Sequence, residues 1–131
     1  MADDRDDRPV LVIDGAAFTD LAGFAREFSG LLENHRWNGN LDAFNDILHG
    51  GFGTPDGRWT LHWRNAGLSR DALGPDATIE RLESLLRSAH PSNRAAIRAR
   101  IERARVGAGP TLFDELVEII GSHEDITLEL A

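Results

Sequence analysis

Trp37-Asn38-Gly39-Asn40-Leu41-Asp42-Ala43-Phe44-Asn45-Asp46-Ile47-Leu48-His49-Gly50 reads as a tight turn leading into a short helix with two unlike faces. Asn38-Gly39 is a turn dipeptide. Asn40 suits a helix N-cap, because its side-chain oxygen can accept from the free N–H groups of the first turn. Leu41, Phe44, Ile47 and Leu48 recur at helical spacing and form one apolar face. Asp42, Asn45, Asp46 and His49 fall on the opposite face. Gly50-Gly51 ends the helix, since glycine enters the left-handed C-cap conformation without strain.

Asp42 and Asp46 are one helical turn apart, which puts their Cβ atoms roughly 5–6 Å from each other. Like charges at that spacing weaken a helix slightly. The positive N-terminal end of the helix dipole offsets this for Asp42 and much less for Asp46. No basic residue lies within the helix, so a neutralising cation must come from elsewhere in the fold, from solvent or from a partner. Two readings are compatible with the pattern alone: a solvated polar face, or an acidic surface offered to a basic partner.

The rest of the chain bounds the choice. Its 131 residues suit one domain with a sizeable core. The net charge of −8 disfavours direct nucleic-acid binding and favours a basic partner. All 14 basic residues are arginine. The absence of cysteine excludes disulfides, thiolate zinc sites and a cysteine nucleophile. The segment 1–8 is a charged tail, expected to be disordered, and has no apolar stretch of a secretory signal. No apolar run approaches membrane-spanning length. A cytoplasmic protein without cofactor is the expectation.

Working outward, residues 10–14 form an apolar, β-branched run that predicts a buried strand. A helix is expected over 19–33, with Leu21, Phe24, Ala25, Phe28, Leu31 and Leu32 inward, and 34–36 link it to the acidic helix. The Gly-rich stretch 50–57 is a loop; it lacks the lysine and the following helix start of a phosphate-binding loop. Residues 58–64 alternate, with Trp59, Leu61 and Trp63 facing one way and Thr60, His62 and Arg64 the other. A short helical turn starting at Ser69 is expected within 68–73. Thr78 is the expected cap of a helix with Ile79, Leu82, Leu85 and Leu86 inward, stopped by His90-Pro91. Ser92 is the expected cap of a basic helix over 93–105, with Ala96, Ile97, Ile101 and Ala104 inward. Thr111 and Asp114 form a capping-box variant for a last helix. Its core face is Leu112, Phe113, Leu116, Val117 and Ile120, with Glu115, Glu118 and Ser122 outward. Residues 125–130 alternate as a final strand. Strands separated by helices predict a parallel sheet covered on one face, a two-layer α/β domain spanning 9–131.

The stretch Asn40-Leu41-Asp42-Ala43, with Asp46 and Leu48 after it, resembles the inhibitory helix of the barstar family of intracellular ribonuclease inhibitors. The lead-in Trp37-Asn38-Gly39, the Trp63-Arg64 strand end and the 113–120 helix with Asp125-Ile126-Thr127 are similar to family features. The resemblance covers about 10–68 and 110–131. It implies a three-stranded parallel sheet packed with helices, and no enzymatic activity. It also implies an antitoxin-like inhibitor whose aspartates stand in for substrate phosphates in the active-site cleft of a basic, secreted or toxin-type ribonuclease, bound one to one. The partner-binding residues it implies are Trp37, Asn38, Gly39, Asn40, Asp42, Asn45, Asp46, His49, Gly50 and Glu118. Asn45 and Arg36 depart from the type member, which carries aromatic residues there. Residues 70–109 read as a helical insert, whose five arginines between 94 and 105 stand against one acid, Glu102, and either pair with the acidic remainder of the chain or mark a second surface.

Alternatives stay open at this stage. A barstar-like binding module with a non-nuclease basic partner fits the same helix. Asp46 and His49 share a face, and His35 or His62 could complete a metal or hydrolytic site, but no third ligand or nucleophile motif is recognisable. Trp37 suits either an interface anchor or the core under the loop.

Overall fold

The computed structural model describes residues 8–33 and 35–131. All of the expected tail except Arg8, and Asn34 of the linker, lie outside them. Three strands, β1 (Val10–Asp14), β2 (Trp59–Arg64) and β3 (Ile126–Leu130), form a parallel sheet in the order β1-β2-β3. Six helices connect and cover it: α1 (Leu21–Ser29), α2 (Leu41–Leu48), α3 (Ala66–Ala72), α4 (Pro75–Ser88), α5 (Pro91–Arg105) and α6 (Leu112–Gly121). The α/β class and the parallel three-stranded sheet agree with the sequence reading.

The most apolar alternating strand takes the centre. Trp59, Leu61 and Trp63 of β2 are buried under the helices with Ile13, Ile126, Phe24, Phe28, Phe44, Phe113 and Leu116. Trp63 donates its indole N–H to the buried Ser69 hydroxyl at 2.9 Å, so its one polar atom is satisfied inside the core. β1 is not the fully buried strand expected. It is an edge strand, with Ile13 inside while Val10 and Val12 are 57% and 46% exposed. The helices cover one sheet face, and the period-2 geometry of a strand sends every second side chain to the other.

The helix ends also differ from expectation. α1 is shorter than 19–33. Asp20 caps it by accepting from the Gly23 N–H at 2.7 Å, and Gly30 closes it; Leu32 stays buried outside the helix. α3 starts at Ala66, three residues before Ser69, because Asn65 turns the chain in the left-handed region (φ 54°). Proline at the first helical position starts both later helices ahead of the expected caps. Pro75 follows Gly74, and Pro91 follows His90, whose Nδ1 accepts from the Ser92 N–H. Thr78 lies inside α4. Its hydroxyl donates to the Gly74 carbonyl and accepts from the Leu112 N–H at 2.7 Å, which ties α4 to the start of α6. Ala96 is exposed, whereas Ile101 and Ala104 are buried as expected. The Thr111–Asp114 capping box is present.

Glu115 is the largest correction in this half of the chain. It is not outward: only 16% of its side chain is exposed, and it accepts from Arg81 of α4 at 3.1 Å and from Arg100 of α5. The sequence reading left the arginines of the 70–109 segment without assigned partners. Two of them close on one carboxylate of α6, so the α4–α5 hairpin is bound to the domain by charge as well as packing. Among the described residues no helix is long and apolar enough to cross a membrane.

Candidate protein-binding site

The acidic helix has the expected start and end. Asn40 is extended (φ −70°, ψ 122°), and its Oδ1 accepts from the Ala43 N–H at 3.0 Å. Asn38 Oδ1 accepts from the Asn40 N–H at 3.0 Å, an Asx turn that sets up the cap. Gly39 between them adopts φ 97°, a conformation that a side chain would strain. At the far end Gly50 takes φ 112° just after the last turn.

The apolar face is buried in full: Leu41, Phe44, Ile47 and Leu48 all lie in the core. The choice left open for Trp37 falls on the core side. Its ring is 3% exposed, stacks on Phe44 at 4.6 Å, and meets Phe24 and Phe28 edge-on. Its indole N–H donates to the Asn40 carbonyl at 2.7 Å, and its backbone N–H to the Ser29 hydroxyl at 2.9 Å. Trp37 thus holds the cap of α2 in place from below.

Burying one face leaves the other exposed. Asp42 and Asp46 both reach solvent. Asn45 is half-buried, and its Oδ1 accepts from His123 Nε2 at 2.8 Å. His49 lies edge-on to the same His123 ring, with centroids 4.7 Å apart. The C-terminal end of α2 is therefore joined to the end of α6 by polar groups. Glu118 is exposed on α6, the helix packed against α2, but is not part of this cluster.

Asn38, Gly39, Asn40 and Asp42 also form one wall of a solvent-open groove of about 420 Å³. α4 supplies the opposite wall, including Glu80, Arg81 and Leu85. Among the described residues, Arg81 is the one cation that lines this groove. Burial lowers its pKa, opposed chiefly by Glu115, and the field of Asp42 also favours its charged form. Arg81 shares this groove with Asp42, but its ion pair is with Glu115, and among the described residues neither Asp42 nor Asp46 forms a salt bridge. Nothing in the pattern of α4 announces this, because only tertiary packing brings Arg81 and Asp42 to one groove. The His123 contact with Asn45 was equally unreadable.

The histidines named for a metal or hydrolytic site are engaged elsewhere. His35 packs on Phe52, and His62 Nδ1 lies 3.1 Å from Glu129 on the open sheet face. Among the described residues no three His, Asp or Glu side chains gather in metal-holding geometry.

His123 makes a pH prediction. Burial and the neighbouring His49 lower its pKa from the ordinary 6.5, and Asp125 opposes them. The folded state therefore resists protonation more than the unfolded chain does. Stability is fully present above a pH of about 6.5 and falls as pH drops through the folded value. Urea midpoints measured from neutral to mildly acidic pH should show this loss. His123→Gln, whose amide can still donate to Asn45, should show a smaller one; an equal loss would exclude His123 as the source.

The sequence model of the Barstar (barnase inhibitor) family matches residues 8–104. The match runs through α3, α4 and most of α5, beyond the first stretch of motif resemblance, and stops before α6. No curated protein and no solved structure matches the chain significantly. A match over most of the chain, joined to the parallel three-stranded sheet and the capped helix α2, places this protein: it belongs to the Barstar (barnase inhibitor) family.

Proposed function

We propose that this protein is not an enzyme but an inhibitor of a basic, barnase-type ribonuclease, acting as a cytoplasmic antitoxin. The exposed face of α2 fills the active-site cleft, and its carboxylates take the place of substrate phosphates. The observation that carries this reading is the preformed acidic face. Asn40, Asn38 and Trp37 fix the start of α2, and its apolar side is committed to the core. A helix ordered before binding loses less entropy on association. The excess negative charge steers a basic enzyme toward it. Asp46, remote from the positive end of its own helix, gains from an incoming guanidinium.

Titration tests this. The protein is added to a fixed amount of a barnase-type ribonuclease from the same source, and residual RNA cleavage is followed. Activity should fall in proportion and vanish near an equimolar ratio. Undiminished cleavage at large molar excess would overturn the reading and favour a basic partner that is not a nuclease. Two observations give that alternative substance: Asn45 is tied to His123, and Arg81 stands beside Asp42.

A further inference from the structure

We propose that the groove between α2 and α4 is a second part of the ribonuclease footprint, and that it receives a long cationic side chain of the enzyme. The proposal rests on the inhibitor reading and extends it to a helix outside the recognised motif. Ala77, Glu80, Arg81, Ser84 and Leu85 recur at spacings of three and four, so one face of α4 forms this wall. Ala77 and Arg81 on that face are partly covered by the domain, whereas Glu80 and Ser84 are exposed and Leu85 is 38% exposed. The opposite wall is the start of α2 itself. An enzyme seated on Asp42 therefore lies over the groove without any further movement.

The charge of the groove selects the occupant. Asp20, Asp42 and Glu80 line it with one guanidinium, that of Arg81. Arg81 donates to Glu115 at 3.1 Å, a carboxylate it shares with Arg100, so its charge is answered only in part from within the domain. Carboxylates are left in excess at the mouth, where Glu80 and Asp20 are exposed. Leu21 and Leu85 offer apolar surface for the methylene stem of an arginine or lysine, with the charged head at the carboxylates. Arg81 repels a cation at its own position, so the occupant's charge settles toward Glu80 and Asp20. This makes Arg81 a positioning residue for the partner.

The test compares two reversals on one helix. Glu80→Arg puts a positive charge into the groove. Glu83→Arg makes the same charge change at an exposed position that does not line it. Both are titrated against the ribonuclease beside the wild type and Asp46→Ala, with melting curves to verify the fold. Glu80→Arg should weaken inhibition at least about tenfold more than Glu83→Arg, and Glu80→Gln should fall between Glu80→Arg and wild type. Equal effects of the two reversals, or tighter inhibition by Glu80→Arg, would overturn the groove assignment while leaving the inhibitor reading intact. Absence of inhibition by the wild type would remove the inhibitor reading, and this inference with it.

Discussion

Asp46→Ala is expected to weaken ribonuclease inhibition by roughly 30-fold to several-thousand-fold, the equivalent of about 2–5 kcal/mol for truncating a desolvated, paired interface charge; measurements behind this range include the barnase–barstar pair itself. The aspartate lies on the exposed face of α2, four residues from Asp42 and remote from the positive end of its own helix. Asp42→Ala should weaken inhibition less, by about tenfold, because Asp42 lies in the first turn, where the positive end of the helix dipole already answers part of its charge. The two variants should also part in stability. Removing Asp46 relieves a like-charge pair and should raise stability by about 0.2–0.5 kcal/mol. Removing Asp42 relieves the same pair but also deprives the first turn of its favourable acid, worth about 0.3–1 kcal/mol, so its stability should lie below that of Asp46→Ala by about that amount. Inhibition constants and urea midpoints measured on the same samples check both halves. Equal losses of inhibition would mean that the helix N-terminus does not offset the charge of Asp42.

Trp37→Ala should lower folding stability by about 3–5 kcal/mol, the usual loss for removing a large buried aromatic side chain. Domains of this size have about 5–15 kcal/mol in total, so the variant will be close to unfolding. The loss has a packing part, from Phe44, Phe24 and Phe28, and a hydrogen-bond part at the Asn40 carbonyl. Trp37→Phe separates them. It keeps an aromatic ring and removes the N–H donor, so stability should drop by about 1 kcal/mol with inhibition nearly unchanged. A Trp37→Phe variant that folds normally and no longer inhibits would move Trp37 from the core to the interface.

Local chemistry made much of this legible from the sequence. The Asn38-Gly39-Asn40 turn and cap, the 3–4 spacing of Leu41, Phe44, Ile47 and Leu48, and the alternation of Trp59, Leu61 and Trp63 are short-range patterns. They have the same physical meaning in almost any tertiary setting, and the structure repeats them. Helix starts were less secure. Thr78 and Ser92 are good capping residues, yet Pro75 and Pro91 start their helices first, and Thr78 is used to hold α6 instead.

Alone, the sequence determined the class of the domain, its acidic charge, and the helix that presents Asp42 and Asp46 opposite a buried face. Only the tertiary structure decided that Val10 and Val12 lie on the open sheet face. It likewise placed Trp37 beneath the cap, Glu115 inward between Arg81 and Arg100, and α4 across a groove from Asp42. The reason is range. A cap or an amphipathic stripe is written within a few residues, whereas a charge network or a groove wall depends on which helices pack together, and no local spacing encodes that.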